Sequence, residues 1–544
     1  MQHKQIALMV QRRHPEYEKK IDHWNFLQAT YEGGREWFDS NIFRYMKEGD
    51  TEFKDRIKRA YRFNHSREVV DLVNKYIFKE EIVHNLEGAN EFVVKFWHRS
   101  TRRNASISEY MRYLSKLSSI FGRIWIVVDS YNSGEGESIA EADVKHYSYE
   151  VTPQNVLDMS FDEEGNLNWI LIREIVRDDN DPLSSTGIVF PRYRLWTKTS
   201  SVLFVDENAA KLKQKDKEHK PSYIVKSSHE HDLGEVPVFP LDHMISESLY
   251  TSPSMIGDIA YLDRAVANYL SNLDAIIQDQ TFSQLAIPAQ SLMPGDTDHS
   301  KVIEAGTKRI FTYDGEGGAK PFFMAPDPKQ AELIITAIKQ IINEIYHSVG
   351  VAGERTKSDN SMGIDNSSGV AKAYDFERVN SLLAAKTASL QRAEHKMVDL
   401  VLKWAGEKEE AKRYAESNLK RIIYPTNFDS RTLSDELSIA ERLQLLAAPI
   451  EIRRYQLKEV VEKLYPYISE DTQKELNTAI DAMDDAEKLL LSKLTDSSGS
   501  PSATKDQADG TSTEPKKGKQ TARAQAKAKE GQDNGQKDSQ ERGK

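Results

Sequence analysis

The 544-residue sequence has no cysteine and no long apolar run. Without cysteine there can be no disulfides and no thiolate metal sites, a composition compatible with assembly in a reducing cytoplasm. Mean hydropathy is −0.63, and no stretch approaches the roughly 20 apolar residues of a transmembrane helix. The first residues hold only a short apolar run, Ile6 to Val10, without a small-residue cleavage pattern. We therefore expect neither a membrane protein nor a secreted one.

The 74 basic residues are outnumbered by 85 acidic ones, which argues against tight binding of the DNA backbone. The formal net charge is −11, whereas affinity for the DNA backbone comes from Lys and Arg that neutralise phosphates. Residues 496–544 contain no large apolar residue, and their 10 Lys plus Arg against 8 Asp plus Glu give +2. We predict a disordered tail over residues 495–544. The remaining body then carries −13, the difference between −11 and +2.

What is present predicts an α+β protein. Hydrophobic residues make up 39% of the chain, and its length exceeds what one core can hold, so we expect two or more domains. Residues 15–82 have helical periodicity, with two helices meeting near Asn64. At Gly122 a helix is followed by a strand rich in β-branched residues. Strand-like segments continue to residue 245 and include an exposed charged loop over residues 207–221.

Three long helices dominate the second half. Ser252 is a candidate N-cap, and Pro253 a candidate first residue, of a helix of some 30 residues, about 45 Å long. Strand-like pieces over 284–328 follow, then helices over 328–349 and 369–405. Their apolar stripes have no evident partner within the chain, so we expect burial against neighbouring subunits.

A polar stretch, ERTKSDNSMGIDNSSGV, lies between the last two helices, from Glu354 to Val370. A connection of about 20 residues without structure is uncommon in a compact domain unless it is functional or mobile. Gly353, Gly363 and Gly369 supply conformational freedom. The Ser, Asn and Asp side chains supply hydrogen bonds without bulk. This composition suits sliding contact better than a fixed pocket.

The sequence lacks the common catalytic motifs. GEGGAKP has the wrong spacing for a phosphate loop, and HExxH, GxSxG and GxGxxG are absent. His229 and His231 could share a metal, although their spacing favours a solvated loop. The acidic DAMDDAEK is typical of a solvated helix, and the basic HRSTRRN of exposed surface or of contact with nucleic acid or a subunit. We expect no enzyme and no cofactor.

The order of these parts resembles the portal protein of tailed bacteriophages. An α+β region precedes a long helix, a β-rich excursion, a return helix, a polar loop, a very long helix and a helical end. The resemblance covers about Trp24 to Leu494 and includes the stretches YEGGREWF, FKDRIKRAYRFNHSREVVDLVNKYIF, FGRIWIVVD, VTPQNVLD, HDLGEVPVFPL and SSGVAKAYDFERVNSLLAAKTASLQRAEHKMVDLVLKW. The segment LLAAPIEIRRYQL departs from it, since many portals have Gly and Ser at the corresponding turn.

The resemblance implies a portal fold of wing, stem, clip and crown regions that forms rings. In this sequence the regions would be a wing over 15–250, stem helices over 252–283 and 328–349, a clip over 284–327, a tunnel loop over 350–368, a long wing helix and return strand over 369–428, and a crown over 429–494. The residues of the tunnel loop that would face DNA are Arg355, Lys357, Ser358, Asn360, Ser361, Gly363, Asn366 and Ser367.

The resemblance also implies the partners. A dodecameric ring would occupy one capsid vertex of the virion after assembly in the host cytoplasm, with no membrane involved. Double-stranded DNA would pass through it, and it would contact the major capsid and scaffolding proteins. The terminase large subunit and later the head-completion adaptors would dock on it. Arg355 and Lys357 balance Asp359 and Asp365, and repulsion between DNA and an acidic body favours sliding.

Three alternatives remain at the level of sequence. A packaging-motor enzyme would show ATPase activity, but the missing phosphate loop counts against it. Another capsid-associated or scaffold protein would have long helices without a channel, and electron micrographs would then show no rings. A soluble α+β protein with a coiled-coil arm leaves the polar stretch unexplained.

Overall fold

The computed structural model describes residues 3–46, 48–86, 88–132, 144–209, 221–281, 284–288, 311–313, 320–324, 329–349, 369–416, 422–425, 428, 440, 442, 449–464 and 474–481. The chain divides into two compact units, Met1–Ser430 and Arg431–Lys544. The predicted tail over 495–544 lies outside the described residues.

Helices make up much of the first unit. In chain order they are α1 (His3–Gln11), α2 (Pro15–Glu32), α3 (Arg35–Asn41), α4 (Asp50–Arg59), α5 (His65–Ile77), α6 (Glu91–His98), α7 (Ile107–Phe121), α8 (Ile259–Thr281), α9 (Lys329–Val349), α10 (Gly369–Trp404) and α11 (Lys408–Glu416). None of the helices in the described part of the chain is both long and apolar enough to cross a membrane.

The described strands form separate sheets. They are β1 (Val83–His84), β2 (Arg123–Asn132), β3 (Val144–Val151), β4 (Val156–Phe161), β5 (Leu167–Arg177), β6 (Val189–Thr197), β7 (Ser200–Asp206), β8 (Tyr223–Glu230), β9 (Val238–Asp242), β10 (Gln284–Pro288), β11 (Phe311–Tyr313), β12 (Phe322–Met324) and β13 (Ile422–Ile423). Their orders are β4-β5-β6-β7-β8, β3-β2-β9, β1-β13 and β11-β10-β12, and every neighbouring pair is antiparallel except β10 with β11. This mixture of helices and antiparallel sheets confirms the coarse expectation of a protein with both element types.

Local sequence signals fix several helix ends. Asn64 caps α5, because its side-chain oxygen accepts from the Arg67 backbone N–H at 3.0 Å. At the start of α7, Ser106 and Glu109 form a reciprocal capping box. Gly122 ends α7 with φ at +82°, and β2 begins at the next residue. The predicted break near Asn64 and the predicted helix-to-strand step at Gly122 are confirmed.

The helix α1 covers one face of the five-stranded sheet. Its apolar run is too short to predict a helix from sequence alone. In the fold, Ile6 and Val10 are buried in one cluster with Leu157, Leu171 and Phe204 of the sheet. Tertiary burial therefore stabilises a helix that local propensity does not signal.

The predicted start of α8 is wrong. The helix begins at Ile259, not at Pro253, and the Ser252 hydroxyl donates to the Met244 carbonyl at 3.2 Å instead of capping a helix. The lead-in to α8 is held on the end of α7, where the Ser254 hydroxyl donates to the Ile120 carbonyl at 2.6 Å and the Met255 N–H to the Ser119 carbonyl at 3.1 Å. The Ile256 N–H donates to the Ser254 hydroxyl at 3.1 Å and not to the Ser252 carbonyl, as it would in a helix starting at Pro253.

Two other predicted segments divide further. The stretch 149–161 is not one strand, since a 3-10 turn at Pro153–Asn155 separates β3 from β4. The stretch 192–206 is a hairpin of β6 and β7. Helices α6 and α11 add to what the sequence predicted. They bury short apolar faces, Val93 and Phe96 in α6 and Ala411 in α11.

The long helices α9 and α10 lie almost where the sequence placed them, but much of their apolar surface is buried within the chain. Within the first unit, one core contains Ile259 and Val266 of α8, Ile345 of α9, and Leu390 and Met397 of α10. α9 packs on α8 and α5. The expectation that these faces lack an intrachain partner is therefore wrong for α10, which packs on sheet β3-β2-β9 and helices α5 to α7, and for the part of α9 that packs on α8 and α5. Leu333 of α9 stays exposed.

The second unit is described in two helical stretches, α12 (Ile450–Leu464) and residues 474–481. The Lys458 amine lies 2.9 Å from the Asp481 carboxylate, and the Arg454 guanidinium donates to the Asp481 carbonyl at 2.6 Å. These contacts join the two stretches. The rest of the region over 429–494 is outside the described residues apart from isolated positions.

Replacing Gly122 with alanine should destabilise the first unit strongly. An added Cβ would lie 2.1 Å from the Ser252 carbonyl oxygen and 2.7 Å from the Pro253 carbonyl carbon, in addition to a backbone penalty of about 1–3 kcal/mol at this φ. Gly406→Ala is the matched control, since Gly406 has φ +83° and no atom within 4 Å of its would-be Cβ. Denaturant unfolding should show a clearly larger loss for Gly122→Ala. Equal losses would contradict the close approach.

Candidate functional site: the anchors on either side of the polar segment

The predicted contact residues of the polar segment, 350–368, lie outside the described residues. They are Arg355, Lys357, Ser358, Asn360, Ser361, Gly363, Asn366 and Ser367. The structure does describe the elements on both sides: α9 ends at Val349 and α10 begins at Gly369. The candidate site is therefore built from the contacts that hold α9, its partner α8, and α10.

The last turns of α9 are anchored on α5. Ile345, Tyr346 and Val349 are buried. The Tyr346 hydroxyl donates to the Glu68 carboxylate at 2.6 Å and lies 3.1 Å from His65 Nδ1. Because a hydroxyl hydrogen bond is directional, this contact fixes the rotation of α9 as well as its position. The polar segment thus leaves from a held helix end.

A buried carboxylate anchors α8 on the same helix, α5. Asp263 is 0% exposed. It accepts from the backbone N–H and the hydroxyl of Ser66 at 3.2 and 2.8 Å, and Arg62 lies 3.8 Å away. Burial lowers the pKa of Arg62, and the nearby Asp263 partly offsets this. Since α5 binds both Tyr346 and Asp263, it sets the spacing of α8 and α9.

A hydrogen bond from a guanidinium of α4 attaches α4 to α8. The Arg56 guanidinium donates to both Glu48 carboxylate oxygens at 2.8 and 2.7 Å and to the Ser271 hydroxyl at 2.9 Å. Both charged side chains are nearly buried, at 3% and 8% exposure. The hydrogen bond from Arg56 holds the pKa of Glu48 below its usual range. The bidentate pair with Glu48 orients the Arg56 guanidinium, and its hydrogen bond to Ser271 gives α8 a second attachment point besides Asp263.

The carboxyl-terminal half of α10 is anchored by Glu394, which is 0% exposed. One of its oxygens lies 2.6 Å from His84 Nε2, and the other accepts from the Tyr424 hydroxyl at 2.7 Å. Burial and the Glu394 charge raise the pKa of Tyr424, which therefore stays a donor. The contact joins α10 to the strand pair β1-β13, so one carboxylate connects three distant parts of the chain.

A partly exposed network of ion pairs contacts the next turns of α10. Lys396 and Lys403 each lie within 3 Å of both Glu235 and Asp399. Glu235 belongs to the loop before β9, so the network ties this loop to the helix. Partly exposed pairs contribute little individually, and we treat this network as secondary to the buried anchors.

A third buried group on α10 has a different environment. Lys386 is 0% exposed, and its amine donates to the Ser118 hydroxyl of α7. Three residues further on, the Ser389 hydroxyl donates to the Asp242 carbonyl at 2.7 Å. Near its middle, α10 is thus held in the described contacts by hydroxyl and carbonyl groups.

The histidine pair considered as a metal site does not form one in the described chain. No group of three or more His, Cys, Asp or Glu able to hold a metal occurs among the described residues. His229 is exposed in β8, whereas the His231 ring lies 5.9 Å from Trp196 and 5.5 Å from Trp404. Burial lowers the pKa of His231. The two Trp rings beside His231 supply no side-chain atom of the kind that binds a metal ion.

The buried anchors do have a signal in the sequence, namely a charged residue at a position of the helical apolar face. Asp263 falls at helical spacing between the buried Ile259 and Val266, and Lys386 between Leu383 and Leu390. A charged residue on the apolar face of an amphipathic helix must be paired or neutralised. Such positions can be found by periodicity alone, although their partners cannot.

Comparison with known proteins finds similar solved chains but no matching family or curated protein. No known protein family matches the sequence, and no curated protein matches it. Two similar solved chains come from "Virion of native gene transfer agent (GTA) particle" and "Neck of empty GTA particle computed with C6 symmetry". The first is 13% identical, with a TM-score of 0.34, and the match covers 76% of this chain and 97% of that one. The second is 13% identical, with a TM-score of 0.35, covering 77% and 99%. Likeness at this level transfers no residue role.

The Glu394 anchor predicts energetic coupling between α10 and β13. Glu394→Ala and Tyr424→Phe should each destabilise the first unit, and together they should lose less than the sum, with a coupling of about 0.5–3 kcal/mol. The measurement is denaturant unfolding of both single variants and the double variant. Tyr269→Phe is the control, since Tyr269 lies on the exposed side of α8 and should show no coupling to Glu394→Ala. Additive losses with Tyr424→Phe would contradict the anchor.

Proposed function

We propose that this chain is the subunit of a bacteriophage portal, a dodecameric ring at one capsid vertex through which double-stranded DNA is packaged and ejected. The observation that supports it most is the order of elements. α8 leads into the sheet β11-β10-β12, α9 packs back on α8, and the 36-residue α10 follows the polar segment. In this proposal α8 and α9 are the stem, the sheet is the clip and residues 350–368 are the tunnel loop.

The anchors explain how a narrow channel could be kept in register. Tyr346 fixes the end of α9, and Lys386, Ser389 and Glu394 fix α10. A polar segment between two fixed helices would project into the channel at a constant height in every subunit. Its near-neutral charge, next to a body of −13, would give weak and transient contacts with phosphates. The protein would then guide DNA without retaining it, and we propose no enzymatic activity and no cofactor.

Exposed apolar residues on the stem helices support ring formation. Leu333 is 72% exposed, Ile277 47% and Ile335 40%, all on α8 or α9. Exposed apolar groups on adjacent helices are typical of interaction surfaces. In the proposed ring they would contact the neighbouring stem, with terminase and adaptor proteins binding at the clip.

Leu333→Asp should weaken the ring without unfolding the subunit. The side chain is too exposed to stabilise the monomer, so its charge would act mainly at the subunit contact. Mass photometry and negative-stain images should show rings with a central hole for the unmodified protein and a shift to smaller species for Leu333→Asp. Gln340→Asp, at an exposed polar position of the same helix, should leave rings intact. Monomers or filaments from the unmodified protein would contradict the portal proposal, as would ATPase activity.

Deleting residues 358–365 should separate assembly from DNA handling. Rings should persist, because the anchors of α9 and α10 lie outside the deletion, while DNA packaging or retention in a phage assay should fail. Deleting eight residues over 211–218, in the predicted exposed loop, is the length-matched control and should leave packaging unchanged. Full infectivity after the 358–365 deletion would overturn the role assigned to that segment.

A further inference from the structure

The buried lysine of α10 lies where α10, α7 and the segment after β9 meet. Lys386 is 0% exposed and His243, just after β9, is 3% exposed. α7 contributes the hydroxyls of Ser118 and Ser119, the latter 3.4 Å from His243 Nδ1. The backbone N–H of His243 donates to the Gly122 carbonyl at 2.6 Å. This contact region therefore connects α10 to the junction from which the lead-in to α8 also starts.

Among the described residues, no acidic group neutralises Lys386. The nearest acidic side chain to act on it is Asp242, and both Asp242 oxygens are already bound by Arg123 of β2 at 2.5 and 2.8 Å. Among the described residues, no carboxylate oxygen forms an ion pair with the Lys386 amine. No charged group of α5, α6 or β3, which also pack on α10, acts on it. A charged amine here would be a buried and unpaired cation.

The electrostatics follow from this geometry. Burial lowers the pKa of Lys386 well below its ordinary range, and Asp242 offsets this only in part. Burial, together with Lys386, also lowers the pKa of His243 well below its usual value. Burial thus favours the uncharged form of both groups in the packed state, and a neutral amine can still donate to Ser118.

We propose that Lys386, Ser118 and His243 form a proton-sensitive latch that keeps α10 packed on α7 while both basic groups are uncharged and opens when Lys386 takes up a proton. The latch lies in the half of α10 nearer to the polar segment. The other half is held by Glu394, eight residues or about 12 Å further along the axis, through contacts that involve no buried cation of this kind. The inference concerns the fold of α10 and does not depend on the proposed function.

The sign of the pH dependence is fixed by linkage. When α10 opens, Lys386 meets water and regains an ordinary pKa of about 10.4. Between the depressed pKa of the closed state and that value, the open state binds one more proton than the closed state. Closing is therefore favoured as pH rises through this window and weakened as pH falls, by up to about tenfold per pH unit for one proton.

Amide hydrogen exchange of the full chain tests the latch. After correction for intrinsic exchange rates, protection of residues 383–390 should rise with pH, by up to about tenfold per unit, above the lowered pKa of Lys386 and below about pH 10. Peptides from β5 and β6 serve as an internal reference, since Glu174 there is paired with Arg192 and Arg194 and its pKa is lowered from an already acidic value. Flat protection in residues 383–390 would overturn the proposal.

Variants assign the effect to Lys386. Lys386→Met should remove the pH dependence, and Lys386→Arg, which stays charged, should lower protection at every pH. Lys396→Met is the matched control on the same helix, because Lys403 still pairs with Glu235 and Asp399, and it should keep the slope. A slope retained in Lys386→Met would overturn the assignment. If that variant does not fold, the unmodified protein and Lys396→Met decide the question by the presence or absence of the slope.

Discussion

The arrangement of the long helices depends on a few buried charged groups placed on faces that are otherwise apolar. Hydrophobic burial is non-directional, so an apolar stripe alone would let a helix shift by a turn with little loss. Asp263 and Glu394 cannot shift in this way, since each accepts hydrogen bonds from fixed partners. Moving either helix would remove these hydrogen bonds from a buried carboxylate, which is among the larger penalties available in a protein interior. The apolar residues thus provide adhesion and the buried polar residues set the register.

The same logic distinguishes the two halves of α10. Glu394 is satisfied on both oxygens by partners from β1 and β13, whereas Lys386 has a hydroxyl partner and no carboxylate. The attachment at Glu394 is therefore firmer than the attachment at Lys386, near the middle of the helix. A helix with one strong and one weaker attachment can open from one end without leaving the core. Elements that move in proteins are drawn from such regions of lower local stability.

The sequence predicts the long helices well and their surroundings poorly, for physical reasons. Helices α9 and α10 are found within a residue of their predicted ends because periodicity extends over many turns and averages out local noise. The start of α8 was misplaced because Ser252 and Pro253 are good local signals that lose to contacts with α7. Periodicity can locate the anchoring residue on its own helix but not its partner, which is far away in sequence. Lys386 is 268 positions from Ser118, and Glu394 is 310 positions from His84. No pattern in a single sequence specifies such partners. The predicted contact residues over 350–368 lie outside the described residues, so for them sequence reasoning stands alone.

The burial of the long helices changes the energetics expected for a ring. If their apolar faces had no partner within the chain, folding and assembly would be one process, and no stable subunit would exist alone. Instead, the core of the first unit joins α8, α9 and α10 to the sheet β3-β2-β9. Association would then occur between folded subunits through exposed residues such as Leu333 and Ile277. An interface of this kind is smaller and more polar than a shared core, so subunits could adjust relative to one another while each retains its own fold. Such adjustment is what a channel requires if it must pass a long, regularly charged polymer without either unfolding or seizing it.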